Sequence, residues 1–524
     1  MLCLMEKNKA KICVPVCVQR ANNLVPAIKR AAEVADIIEL RLDCLPETQL
    51  EIALQGSSVF HSLTQGGLIL TLRPAEQGGR RTIDRNERMD FWRRNRSQFS
   101  DAHFVDIEAD LLVGLPNQGV ISQFGQDRVI CSHHDFVGAV SNLDQIYERM
   151  AATPARILKI AVQADDAIDC LPVFRLLEWA RRDNREMIAI AMGQAGVMTR
   201  ILGPSRGSFL TYGSLDDEST TAPGQLTARE LREVFRIDHL DEQTEIMGLI
   251  GRPVTHSISP HLHNASFAAA GTNAVYIPFE VCDVDAFMRR MVHPRSREID
   301  WKMRGLSVTA PHKSSIMQHL DWIEPSAKEI GAVNTIVVEK DELHGFNTDA
   351  EGFITPLRKT FGSLADAQCA IVGIGGAAKG AIWALQNENA SVTLFSRNVE
   401  NAKPLTEKLV IKCLPIRDAE FKGFDIVINA TPVGTRGDLE NETIAVAEQL
   451  RGVRLVYDLV YNPLETALMR EACAAGCEVL GGLEMLIAQA NEQFRLWTGR
   501  DAGEEVMRTA AMNSLNGILK SDIQ

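Results

Sequence analysis

The sequence predicts an α/β chain in two parts, an N-terminal (β/α)8 barrel and a second α/β half. Three observations point there. Eight short β-branched runs recur between residue 11 and about 215, with helix-like stretches between them. A charged segment without strand character, LTARELREVFRIDHLDEQTE, follows from Leu226. A new strand pattern then leads to the glycine-rich turn VGIGGAAKG at 372–380, set between an apolar run and good helix formers. At 524 residues the chain is too long for a single small module.

The eight runs are KICVPVCV from 11, DIIELRLD from 36, LILTLRP from 68, HFVDIEAD from 103, RVICSHHDF from 128, RILKIAV from 156, EMIAIAMG from 186 and GSFLTYGSL from 207. Strands alternating with helices give a parallel sheet, and eight such units in about 220 residues fit a closed TIM-type barrel. Glu39, Arg41 and Asp43 are two apart and share one strand face, with Leu40 and Leu42 on the other. Arg73, Glu108, His134, Lys159 and Met192 likewise fall toward the C-terminal ends of their strands, the rim where barrels do chemistry.

A domain boundary is expected near 242. Beyond it the strand EIMGLIG opens a small α/β pattern, and the strand QCAIVG runs from Gln368 into the glycine turn. Glycines suit that turn because a pyrophosphate approaches the backbone closely and the following helix N-terminus faces the anion, as in a Rossmann domain. The next strand, SVTLFS, ends at Ser396 and is followed by Arg397. An acidic residue there would bind a ribose 2′-hydroxyl, whereas an arginine suits a 2′-phosphate, so NADP is expected over NAD.

Composition narrows the function. The chain is 45% apolar and 23% charged, ordinary for a soluble globular protein, and has no run of about 18 apolar residues. That lack of a spanning run leaves no membrane partner expected, and the 55 basic and 68 acidic residues leave −13, which argues against nucleic-acid partners and requires any anion to be held locally. The eleven cysteines are odd in number, thinly spread and mostly in apolar runs, as at Cys13, Cys131 and Cys369. They read as buried free thiols of a reducing compartment, and Cys13/Cys17 and Cys473/Cys477 lack a companion histidine, so no metal is expected. The opening MLCLMEKNKAK carries no visible export or transit signal, which makes the cytoplasm the expected location.

Several motifs in register now carry a resemblance. ELRLD at 39, SHHDF at 132, KIAV at 159 and TAPGQ at 221 make residues 11–225 similar to type I 3-dehydroquinate dehydratase. From about 246, GRPVTHSISPHLHN at 251, SVTAPHK at 307, GAVNT at 331, GFNTD at 345, GIGGAAK at 373 and MLIAQA at 485 resemble shikimate dehydrogenase. The order is that of the fused, bifunctional enzymes of aromatic amino acid biosynthesis. The resemblance implies a dehydratase barrel over 1–241, a substrate-binding domain over 242–350, a Rossmann NADP-binding domain over 351–482, and helices over 483–524 that return to the substrate domain.

In the dehydratase family a lysine forms a Schiff base with the substrate ketone, and Lys159 matches it; the imine is the better electron sink, so a neighbouring C–H becomes acidic. His134 matches the general base, with His133 turned to the opposite face. Glu39, Arg41, Arg73, Arg200, Thr221 and Gln225 match substrate-binding positions, where a carboxylate calls for guanidinium. The family has glutamate directly before the glycine pair. Here the order is Glu76, Gln77, Gly78, Gly79, so either Glu76 reaches in or Gln77 substitutes.

In the dehydrogenase family a lysine and an aspartate flank the substrate carbinol, and Lys313 and Asp349 match. Ser257 and Ser259 match carboxylate-binding hydroxyls, and Thr309, Asn334, Tyr461 and Gln489 match ring-hydroxyl contacts. Gly373, Gly375, Gly376, Ala377, Ser396, Arg397, Thr431 and Gly482 fall at cofactor-binding positions. Ser307, His312 and Glu484 depart from the family's usual residues. The implied ligands are 3-dehydroquinate, 3-dehydroshikimate, shikimate and NADP. Plainer readings are structural ion pairs for Lys159 and for Lys313 with Asp349, and a helix cap for the serines. At the level of function the alternatives are a catalytically silent metabolite-sensing regulator, or quinate dehydrogenase activity in the second half.

Overall fold

The computed structural model describes residues 10–55, 57–64, 66–99, 102–113, 124–137 and 141–521. Residues 1–9, on which the expectation of no export or transit signal largely rests, lie outside the described residues.

Each of the eight runs forms a strand: β1 (Ile12–Val16), β2 (Ile37–Arg41), β3 (Leu68–Thr71), β4 (Phe104–Glu108), β5 (Val129–Asp135), β6 (Ile157–Gln163), β7 (Glu186–Met192) and β8 (Thr211–Tyr212). They are ordered β7-β6-β5-β4-β3-β2-β1-β8, parallel throughout. A bridge between Met187 and Ser208 and a 2.8 Å bond from the Phe209 amide to the Met187 carbonyl join β7 to the start of the last run, closing the ring. Alternation then sorts the side chains. Ile37, Ile69, Ile130, Ile157 and Ile188 fill the interior, while Leu40, Leu158 and Ile160 join the core beneath the helices. Polar residues of the inner face are left at the C-terminal rim.

The second half holds two further sheets. β9 (Glu245–Gly251), β10 (Ala274–Glu280), β11 (Met303–Val308), β12 (Trp322–Ile323), β13 (Thr335–Glu339) and β14 (Glu342–Phe346) are ordered β10-β9-β11-β13-β14-β12, with β13 antiparallel to both neighbours. β15 (Gln368–Val372), β16 (Ser391–Ser396), β17 (Lys412–Pro415), β18 (Ile426–Asn429), β19 (Leu455–Asp458) and β20 (Glu478–Gly481) form an all-parallel sheet ordered β17-β16-β15-β18-β19-β20. Strand order reverses between β15 and β18, and the crevice beyond their C-terminal ends is where such sheets bind ligands. The helix Thr348–Phe361 leaves β14 and packs along the helix Gly482–Thr498. The last helix, Glu504–Ser521, lies against the helix Ser259–Ala269.

Barrel and mixed sheet share one core. Trp301, fully buried, takes the edge of Phe174 at 4.9 Å between ring centroids and lies under the Arg206 guanidinium. Asp166 accepts the amides of Cys282 and Asp283 at 2.7 and 2.9 Å.

One expectation fails. Cys17 and Cys44 form a disulfide, with Cα atoms 5.4 Å apart, and Cys282 and Cys473 are exposed thiols rather than buried ones. Cys17 follows β1 and Cys44 follows β2, so pairing the two strands brings together cysteines 27 positions apart, which spacing along the chain does not reveal. No helix among the described residues is long and apolar enough to cross a membrane.

Candidate functional sites

At the barrel rim a cavity of about 60 Å3 is lined by Glu39, Arg41, Arg73, Gln77, His134, Lys159, Arg200, Tyr212, Thr221 and Gln225, together with apolar neighbours that include Met192. All eight residues expected in the dehydratase site are therefore brought together. Lys159, mid-way along β6, is almost wholly buried; its Nζ lies 2.9 Å from Asp106 Oδ2, 2.8 Å from the Tyr212 hydroxyl and 3.6 Å from Glu39. Asp106 also takes Arg73 at 2.8 Å, and against the cost of burial these two cations hold its carboxyl down to about 2. Arg73 goes on to Glu108 at 3.0 Å and the Ser132 hydroxyl at 2.7 Å. Its guanidinium is thus largely engaged by the protein.

His134 sits at the end of β5 with Nδ1 buried and unbonded. Burial first, and then the charges of Arg73, Lys159 and Arg41, hold its pKa well below the usual histidine value. That shift favours the neutral imidazole, the form a base requires. Gln77 lines the cavity, and its Oε1 accepts the His134 amide at 3.3 Å. Glu76 instead points outward, its side chain 59% exposed and 3.8 Å from Arg88.

Arg200 differs from the other cations. It is fully buried, and among the described residues its Nε has no partner and its bonds run only to the carbonyls of Tyr212 and Pro223, at 3.5 and 3.3 Å. Burial lowers its pKa to about 10. A buried guanidinium without a carboxylate partner among the described residues costs several kcal/mol, which an anionic ligand would offset. Beside it, Gln225 Oε1 accepts the Thr221 amide at 2.9 Å and shapes the loop at the cavity mouth.

The second cavity, about 370 Å3, lies between the mixed and parallel sheets. Ser257, Ser259, Thr309, Lys313, Asn334, Asp349, Tyr461 and Gln489 all line it, with Ala377 and Gly482 on the side of the parallel sheet. Lys313 Nζ donates to Asp349 Oδ2 at 2.5 Å, and Asn334 Nδ2 donates to the other Asp349 oxygen at 2.8 Å. Asn334 also takes the Thr348 amide at 2.7 Å, so the N-terminus of the helix 348–361 aims Asp349. Ser257 Oγ accepts the Ser259 amide at 3.2 Å, a local turn bond that leaves both hydroxyls on the cavity wall.

The three departures have distinct fates. Ser307 lines the cavity and donates to Gln493 at 2.9 Å. His312 turns away from it, its Nε2 2.9 Å from the Val281 carbonyl. Glu484 is held by Arg508 at 2.5 and 2.8 Å.

The cofactor-binding positions cluster at the switch between β15 and β18. Gly373 has φ +118°, and a Cβ there would stand 2.7 Å from the Ala430 carbonyl and 3.0 Å from Thr431 Cγ2. Beside Gly375 the space is open, and Gly376 starts the helix Gly376–Asn387 next to the Lys313 side chain. Gly373 donates its amide to Phe395, which places Ser396 beside the turn; Arg397 is exposed at the strand end. A backbone cradle without Cβ, a helix N-terminus and a terminal arginine fit a dinucleotide carrying a 2′-phosphate.

Asp106, Tyr212 and Gln493 were not anticipated as site residues. Asp106 had a signal, since it precedes Glu108 by two on one strand and so shares its face; Gln493 lies one helical turn beyond Gln489. Tyr212 had none beyond its place in the eighth run.

Comparison with known proteins agrees with this geometry. The family model "Type I 3-dehydroquinase" matches residues 12–242, "Shikimate dehydrogenase substrate binding domain" 249–336, "Shikimate / quinate 5-dehydrogenase" 356–460, and the "Shikimate 5'-dehydrogenase C-terminal domain" 482–512. A chloroplastic bifunctional 3-dehydroquinate dehydratase/shikimate dehydrogenase of Arabidopsis thaliana is 32% identical over 521 residues, 95% of this chain and 84% of that protein. The NADP(+) shikimate dehydrogenase of Methanocaldococcus jannaschii is 37% identical over 53% of this chain and 99% of that protein. A crystal structure of a shikimate dehydrogenase in complex with NADP+ superimposes with a TM-score of 0.50 at 36% identity, covering 53% of this chain and 97% of the other. The chain belongs to the family of bifunctional 3-dehydroquinate dehydratase/shikimate dehydrogenases.

Proposed function

We propose that Lys159 and His134 carry the dehydration and that Lys313 and Asp349 carry the proton in the reduction. In the barrel the Lys159 amine adds to the ketone of 3-dehydroquinate and loses water to form an imine. His134 then takes a proton from the adjacent carbon, and the β-hydroxyl departs with a proton returned by His134. Hydrolysis of the imine releases 3-dehydroshikimate and restores the amine, so one water is lost overall. Arg200 and Arg41 hold the substrate carboxylate and hydroxyls, with Glu39, Thr221 and Gln225 completing the contacts. Arg73 fixes Asp106, which keeps Lys159 aimed. The observation that carries this reading is the convergence on one small cavity of a buried lysine, a buried histidine whose pKa is held low, and an arginine without a carboxylate partner among the described residues.

In the second site NADPH, when bound, supplies the two-electron reductant. Gly373, Gly375, Gly376, Ala377, Ser396, Thr431 and Gly482 would hold it, with Arg397 on the 2′-phosphate. Lys313 gives its proton to the carbonyl oxygen of 3-dehydroshikimate while Asp349 orients it, and Ser257 and Ser259 hold the carboxylate. Thr309, Asn334, Tyr461 and Gln489 contact the ring hydroxyls. We place the protein in the cytoplasm, a reading supported by its eight free cysteines among the described residues and opposed by the single Cys17–Cys44 disulfide.

Purified protein given 3-dehydroquinate and NADPH tests both halves at once. The expected record is a transient rise in enone absorbance followed by oxidation of the cofactor. Enone formation without oxidation, or oxidation that prefers NADH, contradicts the second assignment; the absence of both enone and shikimate contradicts the first.

A further inference from the structure

Asp43 lies outside the cavity lining, yet its carboxylate is bonded to two elements of the dehydratase site. Oδ1 accepts Arg41 Nε at 2.9 Å and Oδ2 accepts Arg41 Nη2 at 2.8 Å, a two-point clasp on one edge of the guanidinium. The same oxygens take the amides of Arg73 at 3.3 Å and Arg80 at 3.0 Å, one from each end of the loop that carries Gln77 and Gly78. The Asp43 side chain is wholly buried, and the next residue, Cys44, is tied through its disulfide to the end of β1. Two backbone anchors therefore hold the carboxylate still, and the carboxylate fixes the plane of Arg41. Because Nε and Nη2 are both taken, the guanidinium is left to meet a ligand through Nη1.

We propose that Asp43 is a positioning residue for 3-dehydroquinate, acting through Arg41 by presetting the plane in which its guanidinium meets the substrate. The clasp takes two of the three guanidinium nitrogens of a cavity-lining arginine, and two amides of the adjoining loop anchor the same carboxylate, so the plane of Arg41 and the loop that carries Gln77 are set together. Although burial works against its charge, Arg41 is held above the usual arginine pKa by this carboxylate, so the clasp is ionic as well as geometric. The inference rests on the assignment of Arg41 to the substrate.

A double-mutant cycle on the full chain tests it, with KM and kcat of the dehydratase measured for Asp43→Asn, Arg41→Ala and the double variant. Asp43→Asn should raise KM about tenfold with kcat within about threefold, and the double variant should have the KM of Arg41→Ala within about twofold. KM effects that multiply, or an unchanged KM in Asp43→Asn beside a raised one in Arg41→Ala, overturn this inference alone. An unchanged KM in Arg41→Ala overturns the substrate assignment and the inference with it. Dehydrogenase activity of the same chain serves as the internal standard. If Asp43→Asn proves insoluble, Asp43→Glu, which keeps the charge but displaces it, replaces it in the cycle; a wild-type KM in that variant contradicts the proposal.

Discussion

The two sites of this chain solve opposite problems. The barrel cavity is about 60 Å3 and packs two carboxylates and the Tyr212 hydroxyl around a nearly buried lysine. The dehydrogenase cleft is about 370 Å3, opens between two sheets, and leaves the Lys313 side chain 20% exposed. A single substrate that is captured covalently needs a preset, water-poor pocket on one rigid barrel. A reduction must instead admit two molecules that approach from different sheets. The difference shows in how each lysine is held: Lys159 by residues of β2, β4 and β8, Lys313 by one aspartate on a helix that joins the two sheets.

The largest expected effect separates the halves. Lys159→Ala should abolish dehydration, by at least about a thousandfold, and leave reduction of supplied 3-dehydroshikimate unchanged. Lys313→Ala should do the reverse, with the enone accumulating from 3-dehydroquinate. If either change cost both activities, measured separately on the same preparation, the independence of the sites would be lost.

Next in size is Arg200→Gln. Removing the buried cation proposed to hold the substrate carboxylate should raise KM for 3-dehydroquinate about a hundredfold, or ~3 kcal/mol, read from steady-state kinetics. A small change would mean that Arg41 carries the anion alone.

A subtler contrast concerns pH. His134 is held below the ordinary histidine pKa, so its basic form survives as pH falls, and the acid limb of kcat/KM for dehydration should lie below the pH at which an ordinary histidine titrates. Gln77→Glu adds a carboxylate beside it, which stabilises the imidazolium and should move that limb up by about one unit. A limb that stays put would show that Gln77 does not sense His134. The smallest effect is at the exposed end of β16, where Arg397→Ala should cut the preference for NADPH over NADH by about tenfold, measured as the ratio of kcat/KM values.

The architecture was legible because two periodicities are plain in the residues. In β6, Ile157, Lys159 and Ala161 face inward and Leu158, Ile160 and Val162 outward, as the alternation predicts. The glycine turn was legible for steric reasons that Gly373 still shows. The partners of Lys159 were not, because they are set by register around the ring: β4, two strands away, brings Asp106, and β8 brings Tyr212. The same limit hid the Cys17–Cys44 pair, which exists only once β1 lies beside β2. The choice between Glu76 and Gln77 depended on which side of a tight turn faces inward. There Gly79 leaves no room for a Cβ, which would stand 1.9 Å from the Arg73 carbonyl.

The central claim is that Lys159 bonds covalently to the substrate ketone. Borohydride added during turnover of 3-dehydroquinate, followed by peptide mass analysis, tests it directly. A reduced, substrate-sized adduct confined to Lys159 and absent from Lys159→Ala is the predicted result; full dehydratase turnover with no adduct, or an adduct on another lysine, would contradict it.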